Sequence, residues 1–101
     1  MVVIITQAAP SLTVSPANQS VDPAAGTTDF SITSNTNWTA NSNQSWCTIA
    51  TSGSGDGTIT ATYAVNNTAS SRVADITVNV TGLPAVVVTV TQAAPSLTVS
   101  P

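Results

Sequence analysis

An 11-residue segment, TQAAPSLTVSP, occurs twice in this 101-residue chain, from Thr6 to Pro16 and from Thr91 to Pro101, at an offset of 85 residues. The likeness continues upstream, where Val2-Val3 matches Val87-Val88 and Ile4-Ile5 stands against Thr89-Val90. Identity over that length does not arise by chance. The chain reads as a window on a tandem array, opening in the last strand of one unit and closing in the first strand of the next. The expected division is a duplicated closing strand and joint over residues 1–10, a body over residues 11–95, and a duplicated opening strand over residues 96–101. Met1 reads as a start added to a fragment.

The body has the periodicity of strands. Apolar residues recur at every second position, and Gly, Pro, Asn and Ser interrupt at short intervals; no stretch shows a helical repeat. Val2–Thr6 is expected to be a strand, and Leu12 and Val14 alternate with Thr13 and Ser15 in the next. Pro16 and Pro23 confine this region to a sheet edge, because proline cannot donate to a ladder. Phe30 and Ile32 share an inward face, as do Trp38 and Ala40. From Trp46 to Ala50 the inward side is either Cys47 with Ile49 or Trp46 with Thr48. Thr51–Gly57 is expected to be a flexible loop ending in an Asp56-Gly57 hairpin turn. Ile59, Ala61, Tyr63 and Val65 form an inward row, followed by Ala74, Ile76, Val78 and Val80, and Val86–Thr91 closes the body. The fold class is therefore all-β: an immunoglobulin-like two-sheet β-sandwich of about seven strands plus the terminal overlap strands.

Charge excludes several function classes. Only 5% of residues are charged, with a single base, four acids and no histidine, for a net charge of −3. The base is Arg72 and the acids are Asp22, Asp29, Asp56 and Asp75. Without a basic patch to neutralise phosphates, nucleic acid is not an expected partner. Without His, Lys or Glu, the many Ser and Thr have no base to activate them, and the four Asp read as solvated turn and surface acids. No enzyme activity, cofactor or metal site is expected. Ser52–Gly57 lacks the lysine of a phosphate loop and the several carboxylates of a calcium loop. An intramolecular isopeptide bond would need lysine. Cys47 has no partner for a disulfide within the chain and reads as a small buried hydrophobe. The N-terminal apolar run is too short for a signal peptide or a membrane span, so an export signal is expected outside this window.

Several stretches together resemble one known family. They are Leu12-Thr13-Val14-Ser15-Pro16, Gly26–Ile32, Asn37-Trp38-Thr39 and Ser45–Ile49, then Ser52-Gly53, Gly57, Asn66 and Arg72, then Ala74–Val78 and Val88–Gln92. In order and spacing they are similar to BACON domains, small β-sandwich modules found chiefly in surface and secreted proteins of Bacteroidetes. The resemblance covers Ser11 to Ala94. It implies an extracellular or cell-surface setting and a carbohydrate-associated role, often beside glycan-degrading domains. No family motif fixes a sugar site, so none is carried over; Cys47 stands where the family usually has a plain aliphatic.

Two functions of different kinds follow. The favoured one is a structural repeat: a spacer, stalk or filament-forming subunit joined head-to-tail to copies of itself or to adjacent repeats. Its candidate inter-subunit strands are Val2, Val3, Ile4, Ile5, Thr6 and Gln7 at one end and Leu97, Thr98, Val99 and Ser100 at the other. Two copies of one strand cannot share a slot in one sandwich, so at least one copy is expected to be held by a neighbouring chain or by its own domain. The alternative is a non-catalytic carbohydrate-binding module with glycans as partners. Its candidate stacking residues are Trp38, Trp46 and Tyr63, with Asn41, Asn43 and Gln44 as neighbouring hydrogen-bonders; for each Trp a core position is the competing reading.

Overall fold

The computed structural model describes residues 1–97, and among them it contains nine strands and no helix. In chain order these are β1 (Leu12–Ser15), β2 (Asn18–Val21), β3 (Gly26–Ser34), β4 (Asn37–Ser42), β5 (Cys47–Thr48), β6 (Ser52–Ser54), β7 (Gly57–Tyr63), β8 (Arg72–Asn79) and β9 (Val86–Gln92). They form a four-stranded sheet, β1-β3-β7-β5, and a five-stranded sheet, β2-β9-β8-β4-β6. The two sheets make the expected β-sandwich. Its pairs are antiparallel except β2 with β9, which run parallel.

Alternation decides which side chains face the gap between the sheets. The core takes Phe30 and Ile32 from β3, Ile59 and Ala61 from β7, and Cys47 from β5. The five-stranded sheet contributes Trp38 and Ala40 from β4, Ala74, Ile76 and Val78 from β8, and Val88 and Val90 from β9. Small Ala and large Ile, Phe or Trp recur within the same inward rows, which lets side chains from facing sheets interdigitate at crystalline density. In the stretch with two possible faces, Cys47 is buried with Ile49 packed beside it, because Cys47 pairs with Tyr63 on β7.

Proline shapes one edge. The peptide bond from Ser15 to Pro16 is cis, and here the chain leaves the four-stranded sheet as β1 and enters the five-stranded sheet as β2. Both segments are edge strands, the only place where a missing N–H costs no ladder bond.

Four expectations need correction. The described residues hold nine strands, because two polar segments, Asn18–Val21 and Ser52–Ser54, pair where no hydrophobic pattern marked them. Asp56-Gly57 is not a hairpin turn: β6 pairs with β4 in one sheet and β7 with β3 in the other, so Gly55 and Asp56 carry the chain across the sandwich. Gly55 does so with a left-handed φ of 67°, and the Asp56 Oδ1 accepts the Ser34 N–H at 3.0 Å. Val65 is 48% exposed rather than inward, because β7 ends at Tyr63 and the next carbonyls are drawn to Arg72. Finally, Val2–Thr6 is not a strand, and Ile5 is 92% exposed. The position its sequence would take, between β2 and β8, is already filled by β9.

A close approach explains one glycine. Gly53 lies opposite Trp38 in the β4–β6 register, and a Cβ built there would come within 2.1 Å of the indole. Gly57 has its nearest Trp38 atom at an ordinary 3.8 Å from the same construction. Gly53→Ala is therefore expected to lower stability by about 1–3 kcal/mol in urea denaturation, the range for overpacking a filled site. Gly57→Ala is expected to be neutral or stabilising by up to about 1 kcal/mol.

Candidate functional site

The three aromatic candidates occupy different surroundings. Trp38 on β4 is 6% exposed, with its ring over Gly53 and its Nε1–H donating to the Gly55 carbonyl at 3.1 Å. That is a core indole with its polar atom satisfied. Trp46, just before β5, is half-buried against the core, and the Arg72 guanidinium carbon lies 4.3 Å from the centroid of its ring. Arg72 thus occupies a face that a sugar ring would use, in a cation–π contact. Tyr63 is half-buried at the end of β7; a Cβ on its register partner Gly26 would lie 2.9 Å from the phenolic oxygen. Trp46 and Tyr63 flank the β5–β7 pair, whereas Trp38 belongs to the other sheet. Asn41, Asn43 and Gln44 do not line either groove described below. Asn43 instead exchanges hydrogen bonds with Asp75, accepting its N–H at 2.8 Å.

The densest polar constellation closes one end of the sandwich. Gln92, the last residue of β9, is fully buried. Its amide Nε2 donates to the carbonyls of Ala64 at 2.8 Å, Asp22 at 3.2 Å and Pro23 at 3.3 Å, and its Oε1 accepts from Arg72 Nε at 2.7 Å. Arg72 Nη2 continues to the carbonyls of Ala64 and Val65, each at 3.1 Å. Asn66, 1% exposed, sends its own N–H to Pro23 O at 2.8 Å and accepts from Thr68 N–H and Oγ1–H at 3.0 and 2.7 Å. Among the described residues no buried side-chain polar atom lacks a partner. The single base of the chain is thereby committed to structure.

At the N-terminal side, residues 1–10 are exposed and carry no strand, and two groups hold the segment where it meets the domain. Asn35, in the β3–β4 turn, donates its Nδ2–H to the Ala9 carbonyl and accepts the Ser11 N–H on Oδ1, both at 2.9 Å. Ser34 Oγ–H donates to the Ser11 carbonyl at 2.8 Å, and Pro10 lies beside Gly82. These contacts fall on Ala9–Ser11, while Val2, Val3, Ile4 and Ile5 are exposed and Thr6 and Gln7 unpaired by strand. At the other side, Ala93 N–H donates to Val21 O at 3.0 Å and the Ala93 carbonyl accepts from Asn66 Nδ2 at 3.1 Å. Leu97 is exposed; Thr98, Val99 and Ser100 lie outside the described residues.

Two open grooves follow from this arrangement. One is lined by Gln7, Ala8, Pro10, Asn35 and Thr36, between the N-terminal segment and the β3–β4 turn. The other is lined by Asn37, Trp38, Thr39, Asn79 and Thr81, on the five-stranded sheet. The acids are engaged separately: Asp29 accepts from Thr60 Oγ1 at 2.9 Å, and Asp56 from the Ser34 backbone. Among the described residues no cluster of three or more His, Cys, Asp or Glu is positioned to hold a metal. No helix is long and apolar enough to cross a membrane. Asn66 and Gln92 stand in the sequence only as positions of the family resemblance, and Asn35 is not a candidate there; a polar residue closing an apolar inward row, Val88-Val90-Gln92, is the signal for Gln92.

Comparison with known proteins places this arrangement. A family model described as the viral BACON domain matches residues 11–95. Among solved structures, a Bacteroides ovatus GH5 xyloglucanase in complex with a XXXG heptasaccharide superposes with a TM-score of 0.80 at 27% identity over 89% of this chain. The chain spans 20% of that enzyme's length. WR4, a C. elegans MSP family member, superposes with a TM-score of 0.57 at 13% identity, over 83% of this chain and 97% of its own, a likeness of fold alone. No curated protein matches.

Two outcomes test the packing at this end. Gln92→Ala is expected to cost about 2–4 kcal/mol in urea denaturation, since it leaves Arg72 and three carbonyls short of a partner. Burial pushes the Cys47 thiol up, only partly opposed by a hydrogen bond with Ser42. With less thiolate at any given pH and no access, Cys47 is expected to resist an aromatic disulfide reagent in the native protein and to react at once when denatured.

Proposed function

The chain belongs to the BACON domain family, and we propose that it acts as a structural repeat, a spacer unit within a carbohydrate-associated extracellular protein. The family is a non-catalytic one. The observation that carries this reading is the 11-residue duplication, because the segment holds the last two residues of β9, the joint, and the whole of β1. A chain that repeats the end of its final strand and all of its first has the register of an array written into it. The placement of the aromatics supports a connecting role over a stacking one, with Trp38 in the core and Trp46 under Arg72.

Covalent tandem linkage is favoured over strand exchange between separate chains. Val3, Ile5 and Gln7 correspond to Val88, Val90 and Gln92, the buried side of β9, so Val2–Gln7 of a second chain fits the β9 slot chemically. To enter, it must displace a strand tethered to its own domain at high effective concentration. The exchange frees as much apolar surface as it buries, so nothing drives it.

A second reading has its own support. The Asn37, Thr39, Asn79 and Thr81 groove offers amides and hydroxyls beside the Trp38 edge, and the similar enzyme, of which this chain spans 20%, is in complex with a XXXG heptasaccharide. In this reading the unit binds a glycan by hydrogen bonding rather than by an open aromatic platform.

Mass measured across a concentration series, with negative-stain microscopy, separates the first alternatives: a monomer at every concentration is expected, and fibres would move the reading to strand exchange. Titration with a xyloglucan oligosaccharide is expected to give no binding. Saturable binding, lost in an Asn37→Ala/Asn79→Ala variant that keeps its fold, would replace the spacer with the glycan-binding module.

A further inference from the structure

The two ends of the chain show one four-residue segment held at complementary positions. Ala8, Ala9, Pro10 and Ser11 are identical in sequence and order to Ala93, Ala94, Pro95 and Ser96. In an array these are one joint, so the contacts at one end fall on its first residue and those at the other end on the three that follow. From the preceding unit, Ala93 is held at its N–H by Val21 and at its carbonyl by Asn66. From the following unit, the second alanine is held at its carbonyl by Asn35, as Ala9 is here. The joint proline rests beside Gly82, and the joint serine is held at its N–H by Asn35 and at its carbonyl by Ser34.

We propose that consecutive units are locked by this joint into one fixed mutual orientation, the array being a stiff rod rather than a string of freely hinged domains. The inference rests on the repeat reading above. Neighbouring carbonyls, those of Ala93 and Ala94, are taken by side-chain amides belonging to different units, so no joint residue is left untethered. The proline fixes its own φ and holds the preceding alanine in an extended conformation, which removes the remaining backbone freedom. Gly-Ser linkers behave in the opposite way, as random coils.

The same sequence correspondence assigns the groove lined by Gln7, Ala8, Pro10, Asn35 and Thr36. Gln7 is the counterpart of Gln92, whose partners lie in the β2–β3 turn and at the end of β7. The occupant is therefore the end of the preceding unit, the one carrying Pro23, Asn66 and Arg72. It meets the β3–β4 turn of the next unit across the joint.

The test is a two-unit protein, residues 1–101 continued by a second copy of residues 17–101, with Thr58→Cys in each unit for nitroxide labelling. Pulsed electron resonance then reads the distance between the labels, Cys47 being buried. A single narrow distance is expected. It should broaden on Asn35→Ala in the second unit, and broaden further when a Gly-Ser insertion follows the first unit's Ala94. A distribution in the unaltered protein as broad as that of the insertion, with both units folded, overturns the rod and leaves the repeat reading standing. A narrow distance that Asn35→Ala leaves unchanged overturns the assigned clamp. Failure of the second unit to fold, read as circular dichroism no greater than that of one unit, overturns the repeat reading and the joint with it.

Discussion

The side-chain amide of Gln92 is the interaction on which one end of the sandwich depends. It sits where the five-stranded sheet ends, and its four hydrogen bonds reach the β2–β3 turn, the end of β7 and the first residue of β8. Backbone carbonyls leaving a sheet at a buried position must find donors or cost several kcal/mol together. A chain with one base and no lysine has few donors to offer, and here amides do that work. Arg72 is recruited to the same end, and its guanidinium also covers Trp46, so the one permanent cation orders a loop, a strand end and an aromatic at once.

The other end is governed by a steric fit instead. Trp38 fills the space under β6 only because Gly53 has no side chain, and its Nε1–H reaches the Gly55 carbonyl where the backbone turns left-handed. The crossing from one sheet to the other is thus built around one indole. Both observations explain why the conspicuous aromatics serve the fold.

Duplication sets a packing constraint. A sandwich has one slot between β2 and β8, and β9 fills it with Val88, Val90 and Gln92 facing in. The second copy of that strand has nowhere to go within the same domain, so Val2–Gln7 stands away from it, and the molecule extends over 88 Å along its longest axis. What the domain does hold is the joint that follows, through Asn35, just as Asn66 holds the equivalent joint at the far end. The gripping residues lie at turn and loop positions, where a sequence records polarity but not direction.

The sequence by itself determined the sandwich class, the family resemblance, the inward rows of β3, β4, β8 and most of β7, and the edge position of the proline-bearing segment. Those features are local: a period of two and a missing N–H act on the residues that carry them. Only the tertiary structure decided the rest. Asn18–Val21 and Ser52–Ser54 became strands because neighbours offered them ladders, and Asp56-Gly57 became a crossing because its flanking strands pair in different sheets. Val65 turned outward because Arg72 claimed the carbonyls beside it, and Val2–Thr6 remained single because its copy had taken the place. Strand pairing and slot occupancy are non-local quantities, set by which segments meet, and no window of sequence contains them.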